Sequence, residues 1–332
     1  MIITRTPFRI SFFGGGTDYP VWYRENGGAV ISTTINKYCY IHCRYLPPFF
    51  NYKYRIRYSF REETNNIDDI RHASVRECIR YLCLDKGIEM VHTSDIPAQS
   101  GMGSSSAFTV GFLNALYAMK GHIITKRDLA SYAINIEQNI IKENVGSQDQ
   151  VAAAYGGFNK IEFGTDSEFD VHPVTIGKHK LINLQNHIML FFTGFSRNAS
   201  GIAMEQIKKT PERKDELKNM REMVDEAIDI LNNNRSDIND FGRLMHKTWM
   251  IKRSLTNKIT NPEIDKIYES GLEAGALGGK LLGAGGGGCI LFFAEPEFQP
   301  RIIEKLKNLL YIPFKFENLG SQIIYYEPKE EF

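Results

Sequence analysis

Two glycines one residue apart, three serines and then an apolar helix constrain this chain more than any other stretch. The run is Pro97-Ala98-Gln99-Ser100-Gly101-Met102-Gly103-Ser104-Ser105-Ser106-Ala107. Behind it, Phe108, Phe112, Ala115, Leu116 and Met119 recur at helical spacing, and Gly121 supplies a stop. Gly101 and Gly103 permit positive φ and close backbone approach. The sequence therefore predicts a tight turn that opens straight into a helix N-terminus. Unbonded N–H groups and the positive end of the helix dipole meet there, which suits a phosphate. The serine hydroxyls can hold an oxygen or a hydrated Mg²⁺. A Gly/Ser turn also serves as a plain connection, so the loop alone does not decide the chemistry.

Two commoner nucleotide motifs are excluded. A P-loop needs a Gly-Lys-Ser/Thr ending. The Gly279-Lys280 pair is followed by Leu281, with Ala274 where the first glycine would stand. The glycine run Gly283-Ala284-Gly285-Gly286-Gly287-Gly288 fits the dinucleotide spacing, but Cys289 to Phe293 after it is strand-like, where that motif needs a helix.

The rest of the chain reads as strands and helices without a barrel's regular period, an α+β or mixed α/β pattern. Ile2 to Phe13, Ala29 to Leu46, Ile88 to Thr93, Phe158 to Phe163, His187 to Thr193 and Gln322 to Tyr326 read as strands. Asp69 to Leu84, a helix capped by Thr125 and Asp128 running to about Lys142, Ser236 to Asn257, Pro262 to Ala274 and Pro300 to Leu310 read as helices. Thr210-Pro211 opens a long charged helix that ends at Asn232-Asn233-Asn234. Asp166 to Lys180 reads as a polar connection, and the expected domains are 1–180 and 181–332.

Three sets of charged residues stand out. Glu137 has Ala133, Ile134, Ile140 and Ile141 as its helical neighbours, so a carboxylate lies on an apolar face and needs a partner. That partner is either a structural cation or a metal. Asp149 falls in the first turn of a helix capped at Ser147, where the dipole favours its ionised form. Lys53, Arg55 and Arg57 form one face of an alternating segment, a solvated face or an electropositive wall beside an anionic ligand.

Composition narrows the setting. The 332 residues are 42% hydrophobic and 24% charged with net charge +1, so no global field draws nucleic acid or membrane. Five cysteines without a C-x-x-C pair argue against a disulfide framework or zinc site and fit a reducing cytoplasm. Met1-Ile2-Ile3-Thr4-Arg5 reads as the opening of a strand rather than a leader, and no apolar run reaches membrane-spanning length.

The Pro97–Ala107 loop resembles the nucleotide-phosphate loop of the galactokinase–homoserine kinase–mevalonate kinase–phosphomevalonate kinase superfamily. Pro7-Phe8-Arg9-Ile10-Ser11-Phe12-Phe13-Gly14-Gly15-Gly16-Thr17-Asp18-Tyr19 resembles its N-terminal motif. Lys280-Leu281-Leu282-Gly283 through Cys289 resembles its C-terminal motif, and the three occur in the family's order. Gly146-Ser147-Gln148-Asp149 matches its catalytic-aspartate segment. The triple glycine before Thr17-Asp18, and Thr193-Gly194-Phe195-Ser196-Arg197, are similar to the branch of sugar 1-kinases acting on D-glycero-D-manno-heptose 7-phosphate and on fucose.

The resemblance implies a ribosomal-S5-like N-terminal domain, a ferredoxin-like C-terminal domain and an active site between them. It implies ATP and Mg²⁺ as cofactors. Pro97, Gly101, Met102, Gly103, Ser104, Ser105 and Ser106 would bind the nucleotide, with Gly285 and Gly286 closing from the other side. Glu137 and Ser105 would hold the metal. Asp149 would orient and deprotonate the acceptor hydroxyl, with Arg9 stabilising developing charge. Gly15, Gly16, Thr17, Asp18, Arg197 and Gly286 would contact the sugar phosphate, with the Lys53–Arg55–Arg57 face as an alternative phosphate subsite. The implied reaction is phosphorylation of the anomeric hydroxyl of the heptose phosphate on the way to an activated heptose for surface polysaccharide. A neutral-sugar 1-kinase, a decarboxylase of the same superfamily and a non-catalytic sugar sensor are the rivals. A homodimer is compatible with all of these.

Overall fold

A computed structural model describes residues 1–194, 199–233 and 235–328. Its first sheet grows around two long strands. β1 (Ile2–Phe13) and β2 (Gly28–Tyr45) pair antiparallel with Ile10 opposite Thr33, and both are buried over most of their length. Their register shifts between Pro7 and Phe8. Pro7 has no N–H to give to the ladder, so an irregularity there costs little. The short helix α1 (Pro20–Asn26) joins them, with proline at its first position.

The far half of β2 carries β5 (Ile88–Ser94), then β3 (Tyr54–Arg57) and β4 (Arg61–Thr64). β3 runs parallel to β5, which it reaches through α2 (Ala73–Tyr81). The helix expected over Asp69–Leu84 is shorter than that because a single 3₁₀ turn, Ile67–Asp69, precedes it.

α3 (Ser104–Met119) lies across β1 and β2 and is buried on almost every face, including Phe108, Val110, Phe112, Leu113 and Ala115. A helix apolar all round belongs inside a core. α4 (Lys126–Asn135) begins where expected: Thr125 Oγ1 accepts from the Asp128 N–H at 3.0 Å. α5 (Gln148–Tyr155) leads into β6 (Phe158–Phe163), which pairs with the first half of β2. The segment expected to be a polar connection contains β7 (Phe169–Pro173), paired with β6. Only Phe169 of it is buried, so an edge strand this polar leaves little apolar pattern in the sequence.

The second sheet is antiparallel, its strands in the order Leu310–Tyr311 (β11), Ile188–Phe192 (β8), Cys289–Phe293 (β10) and Gly278–Leu281 (β9). β8 (Ile188–Phe192) follows α6 (Lys178–Asn186). Four helices then intervene: α7 (Ala199–Lys209), α8 (Lys214–Asn232), α9 (Asn239–Ser254) and α10 (Pro262–Glu273). α8, charged as expected, buries Leu217, Met220, Val224, Ala227 and Leu231 along one stripe. Its expected start at Thr210-Pro211 is a 3₁₀ turn ahead of the helix. β9 (Gly278–Leu281) and β10 (Cys289–Phe293) flank the glycine run, and α11 (Gln299–Lys305) precedes β11 (Leu310–Tyr311). The chain then returns to the first sheet, with β12 (Phe316–Glu317) on β2 and β13 (Gln322–Tyr326) on β1.

Among the described residues no helix is long and apolar enough to cross a membrane. The topology brings one set of ends together. The C-terminal half of β1, the turn after it and the N-termini of α3 and α5 surround one cavity, closed from the other side by α9 and the turn after β9.

Candidate active site

Gly101 and Gly103 both take positive φ, +78° and +74°, and α3 begins at Ser104. The first N–H groups of a helix have no acceptor within it, so those of Ser104, Ser105 and Ser106 are available to a ligand. All three serines line the cavity, as do Gly101 and Gly103. Gly101 has a second constraint. A Cβ there would stand 2.4 Å from the Leu282 carbonyl oxygen, and one on Gly283 would stand 2.7 Å from the Gly101 Cα. The two glycine-rich turns touch backbone to backbone, reinforced by the Cys289 N–H donating to the Ser100 carbonyl at 2.8 Å.

Arg9 crosses the mouth of this loop. Its Nε and Nη2 donate to the two oxygens of Asp149 at 2.7 and 2.9 Å, and its Nη1 donates to the Gly101 carbonyl at 2.7 Å. The guanidinium is almost entirely buried, whereas the carboxylate side chain keeps 24% of its surface. A bidentate pair of this kind fixes both groups in orientation as well as distance. Asp149 sits in the first turn of α5, as expected. Ser147 occupies the cap position but does not cap: its hydroxyl meets Tyr23 Oη at 3.1 Å and accepts from Gln138 at 3.0 Å.

Asp18 closes the other side. One oxygen accepts from the Gly16 N–H at 2.9 Å and the other from Gln148 Nε2 at 2.9 Å. Burial raises its pKa above the usual carboxylate value, opposed by those donors. Gly15 and Gly16 line the cavity beside it. Thr17 does not; its hydroxyl is fully buried and bonds the carbonyls of Gly14 and Ala29 at 2.8 and 2.9 Å. It builds the turn rather than touching a sugar.

Glu137 is fully buried behind the serine loop, and burial pushes its pKa up to about 7. One oxygen accepts from Ser106 Oγ at 2.8 Å and from the Gln150 amide. The other oxygen has no hydrogen-bond partner among the described residues. Ser105, expected beside Glu137 at the metal, is exposed at the helix start and lines the cavity, while Ser106, one residue on, is the serine that donates to Glu137. No cation pairs with Glu137 among the described residues.

Other expectations shift as well. Pro97 is exposed and outside the cavity lining. Met102 is buried beneath the loop and contributes its carbonyl to the Arg9 N–H at 3.2 Å. Gly285 and Gly286 pack on Ile259, whose carbonyl takes the Gly286 N–H at 2.8 Å, so Gly283 and Ala284 face the cavity instead. Arg55 pairs with Glu89 at 2.9 Å, and none of Lys53, Arg55 and Arg57 lines the cavity. Arg197 lies outside the described residues.

Two lysines in the lining carry no role in the sequence reading. Lys252 of α9 donates to the Gly283 carbonyl at 2.6 Å, and burial lowers its pKa to about 8. Lys280 of β9 donates to the carbonyls of Ser11 and Phe12 at 2.9 and 3.1 Å, and burial lowers its pKa as well. Lys280 opens the C-terminal motif, which was a signal. Lys252 stands in an ordinary run of basic residues on a helix, which was not.

The GHMP kinases N terminal domain matches residues 72–157, and the GHMP kinases C terminal domain matches residues 201–312. The chain belongs to the GHMP kinases. It is therefore an ATP-dependent phosphotransferase of the α+β GHMP kinase fold, and ATP is its phosphate donor. The D-glycero-alpha-D-manno-heptose 7-phosphate kinase of Campylobacter jejuni is 29% identical over 322 residues, spanning 92% of this chain and 93% of that protein. The L-fucokinase/L-fucose-1-P guanylyltransferase of Bacteroides fragilis is 25% identical over 92% of this chain, which spans 35% of that longer protein. Among solved structures, a D-glycero-D-manno-heptose 1-phosphate kinase from Bacteroides thetaiotaomicron shares the fold with a TM-score of 0.78 at 23% identity, over 98% of this chain and 99% of that one.

Proposed function

We propose that this GHMP kinase phosphorylates the anomeric hydroxyl of D-glycero-D-manno-heptose 7-phosphate, giving the 1,7-bisphosphate. The observation that carries the transfer step is the Arg9–Asp149 pair at the mouth of the serine loop. The loop's N–H groups hold the nucleotide phosphates. Asp149 gives up one contact with Arg9 to orient the acceptor hydroxyl and take its proton. Arg9, already anchored on the Gly101 carbonyl, faces the charge that develops on the transferred group. The transition state of phosphoryl transfer is loose, so positioning and charge neutralisation do most of the work and a weak base suffices.

Glu137, with its unpartnered buried oxygen, and Ser106 suit a Mg²⁺ ion. When bound, the ion neutralises charge on the nucleotide phosphates. Asp18 and Gln148, locked to each other beside Gly15 and Gly16, suit a row of sugar hydroxyls. Arg197 remains the first candidate for the sugar's own phosphate, on the motif in which it stands.

The acceptor rests on the similarity to the Campylobacter jejuni enzyme. The similarity to the Bacteroides fragilis fucokinase keeps a neutral-sugar 1-kinase as the second reading, and no row of cations for a sugar phosphate lines the described cavity beyond the groups already named. A coupled ADP-release assay over sugars and sugar phosphates separates the two. The heptose 7-phosphate is expected to be turned over far faster than unphosphorylated heptose, mannose or fucose. Phosphorus NMR of the product should show an anomeric phosphate beside the original one. Equal turnover of an unphosphorylated sugar, or a product modified away from C1, sinks the heptose 7-phosphate assignment.

A further inference from the structure

The seam where the two glycine turns meet carries two cations. Arg9 Nη1 is held on the Gly101 carbonyl at 2.7 Å, and Lys252 Nζ on the Gly283 carbonyl at 2.6 Å. The Gly101 and Gly283 backbones are in contact, so the two charges bracket one point. Arg9 has a carboxylate partner. Lys252 has none: among the described residues its only hydrogen-bond acceptor is that carbonyl, and it is 5% exposed.

A buried ammonium with no carboxylate in direct contact, attracted by Asp18 and Asp149 only from farther off, is costly to keep. The groups around it are arranged for a missing acceptor. An atom placed where a Gly15 Cβ would stand lies 4.0 Å from Lys252 Nζ, from Gln148 Nε2 and from Ser11 Oγ. Ser11 Oγ is buried without a hydrogen-bond partner among the described residues. Asp18 and Asp149 face the same space from the turn after β1 and from α5, and Lys280 faces it from β9, its ammonium already bonded to two carbonyls. Gly101, Gly103 and the three serines of the loop line the same cavity as Lys252 and Gly283.

We propose that Lys252 is a catalytic cation of the transfer, pairing with the phosphoryl group in flight between the nucleotide and the acceptor, opposite Arg9. In that step the bond from the terminal phosphorus to the ADP oxygen breaks and one to the acceptor oxygen forms. The acceptor's proton passes to Asp149, and ADP leaves with the electron pair. Lys252 exchanges the Gly283 carbonyl for an oxygen of the transferred group, whose negative charge it offsets while Arg9 offsets the other side. The inference rests on phosphoryl transfer from ATP and holds whichever hydroxyl is the acceptor.

The test uses Lys252→Met, Lys252→Gln and Lys252→Arg. Methionine keeps the apolar stem, glutamine keeps a donor for the Gly283 carbonyl without the charge, and arginine keeps the charge. With ATP and D-glycero-D-manno-heptose 7-phosphate, Lys252→Met and Lys252→Gln should lose kcat by about 10²–10³-fold, the scale of one preorganised donor, with KM for ATP within about threefold of normal. Lys252→Arg should recover a good part of kcat. Calorimetry with ADP and aluminium fluoride, a mimic of the phosphoryl in flight, needs no turnover of a particular sugar. Its affinity should fall at least about tenfold in Lys252→Met while that for ADP alone holds. Equal weakening of ADP and of ADP–aluminium fluoride, or a change confined to KM for the sugar, overturns the assignment. So does Lys252→Gln with normal kcat. Should Lys252→Met fail to fold, the glutamine and arginine variants decide between charge and packing.

Discussion

Asp149 accepts hydrogen bonds from both Nε and Nη2 of Arg9, so neither residue can be altered without disturbing the other. Asp149→Asn keeps the volume and loses the base and one charge-assisted contact. Its kcat should fall by about 10²-fold or more, the scale of a positioned acid–base group, with ADP affinity by calorimetry unchanged. A variant with near-normal kcat removes Asp149 from the mechanism. Lys252 makes a different prediction, about stability. Its pKa is depressed in the folded chain, from 10.5 to about 8. Above the unfolded value the group is neutral in both states and burial costs nothing. As pH falls from there through about 8, the unfolded chain takes up a proton that the folded chain resists, and stability drops by about 3 kcal/mol. Lys252→Met lacks this group, so its melting temperature should exceed that of the unmodified protein most at pH 7–8, with the gap closing toward pH 10.5. A gap that is flat with pH would mean that burial of the ammonium carries no such cost. A residue that destabilises the fold at working pH is retained for what it does there.

At the scale of elements, the turn that carries Glu137 is the one the sequence hid. The apolar spacing of Ala133, Ile134, Ile140 and Ile141 reads as helix up to Lys142, yet Ile136–Ile140 forms a π-turn in which the Ile141 N–H bonds the Ile136 carbonyl at 2.8 Å, and Lys142 takes positive φ. One extra residue in a turn barely alters a hydrophobic pattern, so periodicity cannot reveal it. What periodicity did show, a carboxylate on an apolar face, is what matters to the site. Glu137→Gln should leave the far-UV spectrum and melting temperature near normal, because the amide fills the same space beside Ser106 and Gln150. The Mg²⁺ concentration needed for half-maximal activity should rise by about tenfold or more, as for other ligand-shell changes. If instead the variant unfolds and Mg²⁺ no longer affects activity, Glu137 is structural. The turn into α3, the Thr125 cap and the strand after the glycine run were legible because each follows from residues adjacent in sequence. β7 was not, since its alternation is mostly polar.

At the scale of the whole molecule, the cavity is closed by groups more than 200 residues away from the turn after β1. Motif order placed the two glycine turns in one site, but no local pattern told which glycine of the second run meets the first, nor that Lys252 joins them. The contact explains the choice. Gly283 has φ +74°, and a Cβ on it would collide with the backbone of Gly101. Gly121 shares the positive φ, +69°, with open space around it. Left-handed backbone alone costs a side chain about 1–2 kcal/mol, so Gly121→Ala should lower the melting temperature by a few degrees and leave kcat and ADP affinity unchanged. Gly283→Ala carries the same backbone cost and also forces the two turns apart. That displaces the carbonyls anchoring Arg9 and Lys252 together, so kcat should fall by about tenfold or more, given how steeply transfer depends on ångström-scale placement. Circular dichroism melts and ADP-release kinetics on the pair separate the two costs. If Gly283→Ala matches Gly121→Ala in both readouts, the contact between the turns has no part in holding the cations in place.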